Sequence, residues 1–246
     1  MTFAMRMRTI TGAAILSVIG AAAMATPVEL TYQGSSVDSG RQTVTIQTAP
    51  VSYPGTGDWP RTVGAWGFEM RDSTHTLGDA MGDFLAWCLD LGSFLSSSST
   101  TDRSYEITSD PFSNSYGLNA AERGRVQAMF DANFGTLDET NGIQAAAFQL
   151  ALWNAMYDTD STVMGGSLSA IASHATVVSM ADTFLANAAG YTGARQFTLT
   201  YLESDADTNS RYQNLVTATP VPLPAAGLLL LMGLAGLGAA ARRRRS

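Results

Sequence analysis

The reading of the fold turns on residues 138–158, "DETNGIQAAAFQLALWNAMYD". From Ala145 to Tyr157 this stretch is apolar on almost every side. That pattern predicts a helix buried all round, not an amphipathic helix lying on a surface. Upstream, Asn119 and Glu122 stand at capping-box spacing and predict a helix running to about Phe134. Downstream, "DTDSTVMGG" reads as a polar loop. Ser167 is then placed to cap a third helix that extends to Ala189 and stops at Gly190 as a left-handed residue.

Short β segments flank this helical block. "VELTYQG" and "RQTVTIQTA" are rich in Val, Ile, Thr and Tyr, and "APVSYPGTGDWP" breaks them as a loop. "RTVGAWGFEM" and "DFLAWCLDLGSFL" read as further strands, the second buried on both faces, with "RSYEITS" as its partner. "RQFTLTYLES" and "RYQNLVTAT" return to strand after the helices. Late strands that rejoin an early sheet imply an α+β domain, a β-sandwich or barrel with a helical insertion. It is expected to occupy residues 26–216.

Both ends of the chain carry signals. Arg6 and Arg8 precede an apolar run that closes on Ala23-Met24-Ala25, a signal-peptide cleavage form, so residues 1–25 are expected to be removed. Residues 217–224 read as a linker, and residues 225–241 form an uncharged run at the short limit for crossing a bilayer of about 30 Å. Arg242, Arg243, Arg244 and Arg245 follow as a stop, leaving residues 242–246 as a cytoplasmic tail and the rest of the chain outside.

The chain has no lysine. Six of its 14 arginines belong to the terminal signals, which leaves eight against 21 acids between residues 26 and 224, a net charge of −13. Such a surface repels phosphate backbones and excludes nucleic acid as a partner. Cys88 is the single cysteine, so the fold of this exported chain has no internal disulfide to rest on.

Cys88 and Gln149 stand out chemically. Gln149 lies one turn before Trp153 on the same helix face, with Ala145 and Ala146 leaving room beside its amide. A carboxamide among so many apolar side chains must find hydrogen bonds. One reading is structural: Cys88 is a packed core thiol and Gln149 satisfies a backbone edge. The other is chemical. Trp87-Cys88-Leu89 and the Gln149-Leu150-Ala151-Leu152-Trp153 motif resemble the thioester domains of bacterial surface adhesins, over roughly residues 84–157. That resemblance implies an internal Cys88–Gln149 thioester, formed with loss of ammonia and shielded from water by Trp87 and Trp153. Such a bond acylates amines on a surface or matrix polymer once, without turnover, so the chain is expected not to be an enzyme and to need no cofactor. A chain without lysine does not spend such a bond on its own side chains. Those adhesins usually carry a different wall-sorting signal.

The remaining candidates are thinner. His75 and His174 are the only histidines, so no His-rich metal site is expected. Asp205, Asp207 and Asn209 alternate as in a calcium loop, but Ser210 and Val216 stand where Gly and Glu are needed. Asp90 is expected beside Cys88 on one strand face, as an edge charge, an arginine partner or a group orienting a neighbour. A Cys88–His174 pair defines a third class, a secreted cysteine hydrolase, and a matrix or envelope protein without a reactive bond defines a second.

The tail resembles the VPLPA-CTERM variety of PEP-CTERM sorting signals: Val221, Pro222, Leu223, Pro224 and Ala225, then the apolar span and the arginines. The two prolines keep the motif extended and out of the helix. The resemblance implies an exosortase-type transpeptidase as partner, a membrane-anchored precursor, and a mature protein at the cell surface or in the extracellular matrix.

Overall fold

A computed structural model describes residues 26–55, 57–77, 83–108, 118–204 and 212–222. The signal segment, residues 205–211 with their calcium-like loop, and the chain from Leu223 onward lie outside the described residues, as do Ala23, Ala25, Pro224, Ala225 and Arg242–Arg245 of the terminal signals. Six strands close into a barrel in the order β1 (Thr26–Ser35), β4 (Phe68–Asp72), β5 (Asp83–Cys88), β9 (Leu215–Pro220), β8 (Phe197–Ser204) and β6 (Arg103–Thr108), and β6 returns to β1. A second sheet holds β3 (Arg61–Ala65), β2 (Gln42–Thr48) and β7 (Ser169–Ala172). Three helices stand with them: α1 (Ala120–Asn133), α2 (Gly142–Tyr157) and α3 (Ala175–Ala189).

The barrel is sorted by the two-residue period of its strands. Val28, Leu30, Met70, Phe84, Ala86, Cys88, Tyr105, Leu202 and Leu215 are buried and share one face by register. The alternate face of β5 presents Trp87 to the helices, where its ring meets Phe148 at 4.8 Å and Phe134 at 6.4 Å. Helix α2 touches α1, α3, β2, β3 and β5. It therefore lies between the barrel and the smaller sheet, and every residue from Ala145 to Met156 is buried. The all-round apolar pattern has this sandwiching as its cause.

Several expectations hold locally. Asn119 accepts from the N–H groups of Ala121 and Glu122, and Glu122 returns a bond to the Asn119 N–H, completing the capping box. Others are corrected. "RTVGAWGFEM" is two strands in two sheets, broken at Trp66-Gly67. Space at the crossing is tight: a Cβ at Gly67 would stand 2.7 Å from Leu85 Cδ1, and that side chain would have to shift. "DFLAWCLDLGSFL" stays strand only to Cys88, and "RSYEITS" pairs with β1 and β8 instead of with it. The third helix begins later than expected. Residues 169–172 add β7 to the edge of β2, and His174 rather than Ser167 caps α3. Gly190 ends that helix with φ −87°, in the right-handed region. The linker expected from residue 217 is strand through Pro220, because those residues complete the ladder with β8.

The cap is testable. Asn119→Ala should lower the unfolding free energy by about 1 kcal/mol, read as a reduced urea midpoint with an unchanged slope.

Candidate functional site

One face of α2 builds the site. Gln149, Trp153 and Tyr157 recur at intervals of four and so stack along the helix. All three meet the chain that leaves β5. The N–H of Cys88 donates to Gln149 Oε1 at 3.0 Å, and Gln149 Nε2 donates to the Cys88 carbonyl at 2.7 Å. Two turns on, Tyr157 Oη accepts from the Leu91 N–H at 3.0 Å. Trp153, between them, lines a cavity that also exposes Cys88.

Strand geometry explains the Gln149 bonds. The Leu89 N–H donates to Asn214 O on the β9 side, so the backbone groups of Cys88 face the opposite way. There β4 has already ended: its Phe68 pairs with Ala86, and Trp66 has crossed toward the other sheet. The carboxamide of Gln149 fills the missing ladder position. Gln149 and Cys88 are both buried, so these bonds replace hydration that neither group has.

The Cys88 thiol itself faces a different glutamine. Its Sγ donates to Gln213 Oε1 at 2.7 Å, across 125 positions of sequence. Gln213 Nε2 donates to the backbone oxygen of Asp90, so both ends of this amide are held. Asp90 is fully buried; its carboxylate accepts from the N–H groups of Gly92 at 3.1 Å and Asn214 at 2.6 Å. It ties the loop after β5 to the turn before β9 and thereby positions Gln213. Asn214 Oδ1 accepts in turn from the Ser204 N–H. Burial pushes the Cys88 thiol well above its ordinary pKa, and the Asp90 carboxylate adds to the shift.

The thiol and Gln213 share a cavity of about 130 Å³ with Trp153, Leu91 and Ser93, walled by Tyr53, Pro54 and Phe94. Tyr53 meets Trp59 edge-on at 5.4 Å and Phe94 at 5.5 Å, and Arg61 lies over its ring. Larger cavities of about 300 Å³ beside α1 and α3, and about 450 Å³ beside β8, contain no thiol among their lining residues.

The expected site residues therefore separate. Cys88, Gln149 and Trp153 come together; Trp87 packs on the far face of β5 and lines no part of this cavity. His174 is exposed and its Nδ1 accepts from the Thr176 N–H, so it serves as a helix cap. Val221 and Pro222 are exposed just past β9, and the Val221 N–H donates to Gln196 O at 2.8 Å. Among the described residues no helix is long and apolar enough to cross a membrane, and no group of three or more His, Cys, Asp or Glu is placed to hold a metal. Gln213 was missed from the sequence. Its signal was a second amide at the mouth of a strand, in "RYQNLV", but nothing local says that β9 lies against β5.

No family model matches the chain, and no curated protein sequence matches it. Among solved structures it is similar to the N-terminal thioester domain of a surface protein from Clostridium perfringens, at 14% identity and TM-score 0.37, covering 74% of this chain and 100% of that one. It is also similar to the N-terminal domain of the Streptococcus pyogenes pilus tip adhesin Cpa, at 14% identity and TM-score 0.35, covering 77% and 98%. A third likeness is to the N-terminal thioester domain of a protein F2 like fibronectin-binding protein from Streptococcus pneumoniae, at 11% identity and TM-score 0.38, covering 78% and 99%. These likenesses are loose and say nothing about which side chains of this chain react.

Two measurements follow from the geometry. Gln149→Leu leaves both backbone groups of Cys88 unpaired in the core and should cost on the order of 3 kcal/mol in unfolding free energy, by urea titration. In Gln213→Ala the thiol has no carboxamide beside it, and its raised pKa keeps it protonated at neutral pH. Iodoacetamide should then alkylate the folded variant at least about 10-fold more slowly than free cysteine, the rate rising only well above the usual thiol range near pH 8.5. Rapid alkylation at neutral pH would contradict that assignment.

Proposed function

We propose that this chain is an exported surface protein that attaches covalently to amine-bearing surfaces or matrix polymers through an internal thioester between Cys88 and Gln213. The observation that carries this reading is the buried thiol of Cys88 held on the carboxamide of Gln213 at the wall of a cavity that opens past Phe94. The bond expected from sequence joined Cys88 to Gln149; the contacts favour Gln213 as the acyl donor, with Gln149 holding the backbone of the nucleophile.

The chemistry balances without a cofactor. Sγ attacks Cδ of Gln213, the C–N bond breaks, and the thiol proton leaves with the amide nitrogen as ammonia. The thiol is protonated in its buried site, so its attack requires that proton to move as the S–C bond forms. The S–H bond already points at Oε1, the first station on that route. A primary amine that enters past Tyr53 and Phe94 then takes the acyl group, leaving a stable amide and a free Cys88 thiol. Trp153, Leu91 and the aromatic walls at Tyr53 and Phe94 keep water, the competing nucleophile, scarce. This is one reaction per molecule, and the chain is proposed as a binder rather than a turnover enzyme.

Export and sorting complete the proposal. Residues 1–25 deliver the chain across the membrane, and an exosortase-type transpeptidase cuts near Val221–Ala225. The barrel ends at Pro220, and Val221 and Pro222, the first two residues of the motif, are exposed, so the approach to the cleavage region is open to an enzyme at the membrane face.

The test is the intact mass of mature protein purified without amine buffers. One ammonia should be missing, restored in Cys88→Ala and in Gln213→Ala, and peptide mapping should place the link at Gln213. A full sequence mass with a titratable thiol would overturn the thioester. A link mapped to Gln149 would overturn the choice of glutamine.

A further inference from the structure

Three buried indole nitrogens lack a hydrogen-bond partner among the described residues: those of Trp66, Trp87 and Trp153. A buried N–H left unpaired costs about 1–3 kcal/mol, and in a folded protein it calls for an explanation. Trp87 sits among phenylalanine rings, and Trp66 stacks against Gly64 and under Arg41. Trp153 alone of the three lines the cavity that holds Cys88 and Gln213. It is also well fixed, 2% exposed and flanked on α2 by Gln149, bonded to Cys88 at the end of β5, and Tyr157, bonded to Leu91 just after it.

We infer that the Trp153 Nε1–H is the hydrogen-bond donor for the acyl oxygen of Gln213, both in the thioester and in the oxyanion formed when an amine attacks it. The inference rests on the Cys88–Gln213 reading above. Before the bond forms, Gln213 Oε1 accepts from the Cys88 thiol. Thioester formation consumes that S–H, and loss of ammonia removes the amide nitrogen that anchored the group to Asp90. The acyl oxygen is then an acceptor without its donor, and Trp153, which carries a donor without an acceptor, lines the same small cavity. When an amine nitrogen bonds to Cδ, the carbonyl electron pair moves onto this oxygen, and a fixed N–H lowers the energy of that state more than of the ground state. Collapse expels the Cys88 sulfur, which takes up a proton released by the attacking nitrogen. Before condensation the donor has no partner, so its cost falls on the unreacted state and is relieved when the bond is made.

The test uses full-length mature protein and Trp153→Phe. The substitution keeps an aromatic ring in the cavity, removes the N–H donor and trims the ring system, so the carbonyl stretch, which reads the hydrogen bond, is measured beside the rate. The readouts are the rate of methylamine incorporation and the infrared stretch of the thioester carbonyl, isotope-labelled at glutamine. Trp153→Phe should form the thioester, react on the order of 100-fold more slowly, and show the carbonyl stretch at higher frequency. A wild-type rate with an unchanged stretch would overturn the inference while leaving the thioester in place. Absence of ammonia loss in the wild type would overturn the thioester reading itself and this inference with it. Should Trp153→Phe not fold, the wild type decides. Its Trp153 indole proton should move downfield relative to Cys88→Ala, where no thioester exists, and no movement would overturn the assignment.

Discussion

The carboxamide of Gln149, bonded at both ends to the backbone of Cys88, is the contact on which the rest of the arrangement depends. It joins the most buried helix to the last residue of a barrel strand, at the point where the strand has lost its neighbour on that side. Without it, α2 would present an unpaired amide to an apolar interior and β5 would end with two unsatisfied backbone groups. With it, the helix depth and the strand position are fixed together. Trp153 and Tyr157, one and two turns further along, inherit their placement from the same bond pair.

The two glutamines divide the work that sequence assigned to one. Gln149 fixes where the Cys88 backbone lies; Gln213 is the carboxamide that the sulfur reaches. Asp90 links these roles. Its carboxylate orders Gly92 and Asn214 while its carbonyl holds the Gln213 amide, so a buried charge is satisfied by backbone donors and sets the geometry of a neutral pair. Burial, with the same charge adding to it, raises the thiol's pKa and keeps it protonated. A thiol of this kind resists exposure to oxidants and alkylating agents, yet it stands against a carboxamide, the group that on the proposed chemistry would acylate it.

The parts of the fold set by local chemistry were legible in the residues. The capping box at Asn119 and Glu122, the alternation in β1 and β2, and the all-round burial of α2 each follow from neighbours within a few positions. What was illegible depends on distant chain. Residues 169–172 carry a helix-compatible pattern and become strand because the edge of β2 is open to them. The break at Trp66-Gly67 comes where the chain passes from one sheet to the other, and both sheets are built from distant segments. Gln149 could be recognised as odd because its helical surroundings are apolar, but its partner atoms lie on β5. Gln213 gave less warning, since a glutamine beside a turn is ordinary until β9 is paired with β5.

The position of Gln213 also bears on how a surface attachment carries load. It lies two residues before β9, and the sorting motif begins one residue after β9. On the proposed chemistry the target is joined at Gln213 and the mature chain is held near Val221–Ala225. Tension between them then runs along residues 213–221 and leaves the helices and most of the barrel outside the load path. A link through Gln149 would instead pull α2 out of the core, against the contacts that position the site. On that chemistry, an acyl group at the mouth of β9 lets the domain shape the reaction without having to withstand the force that follows it.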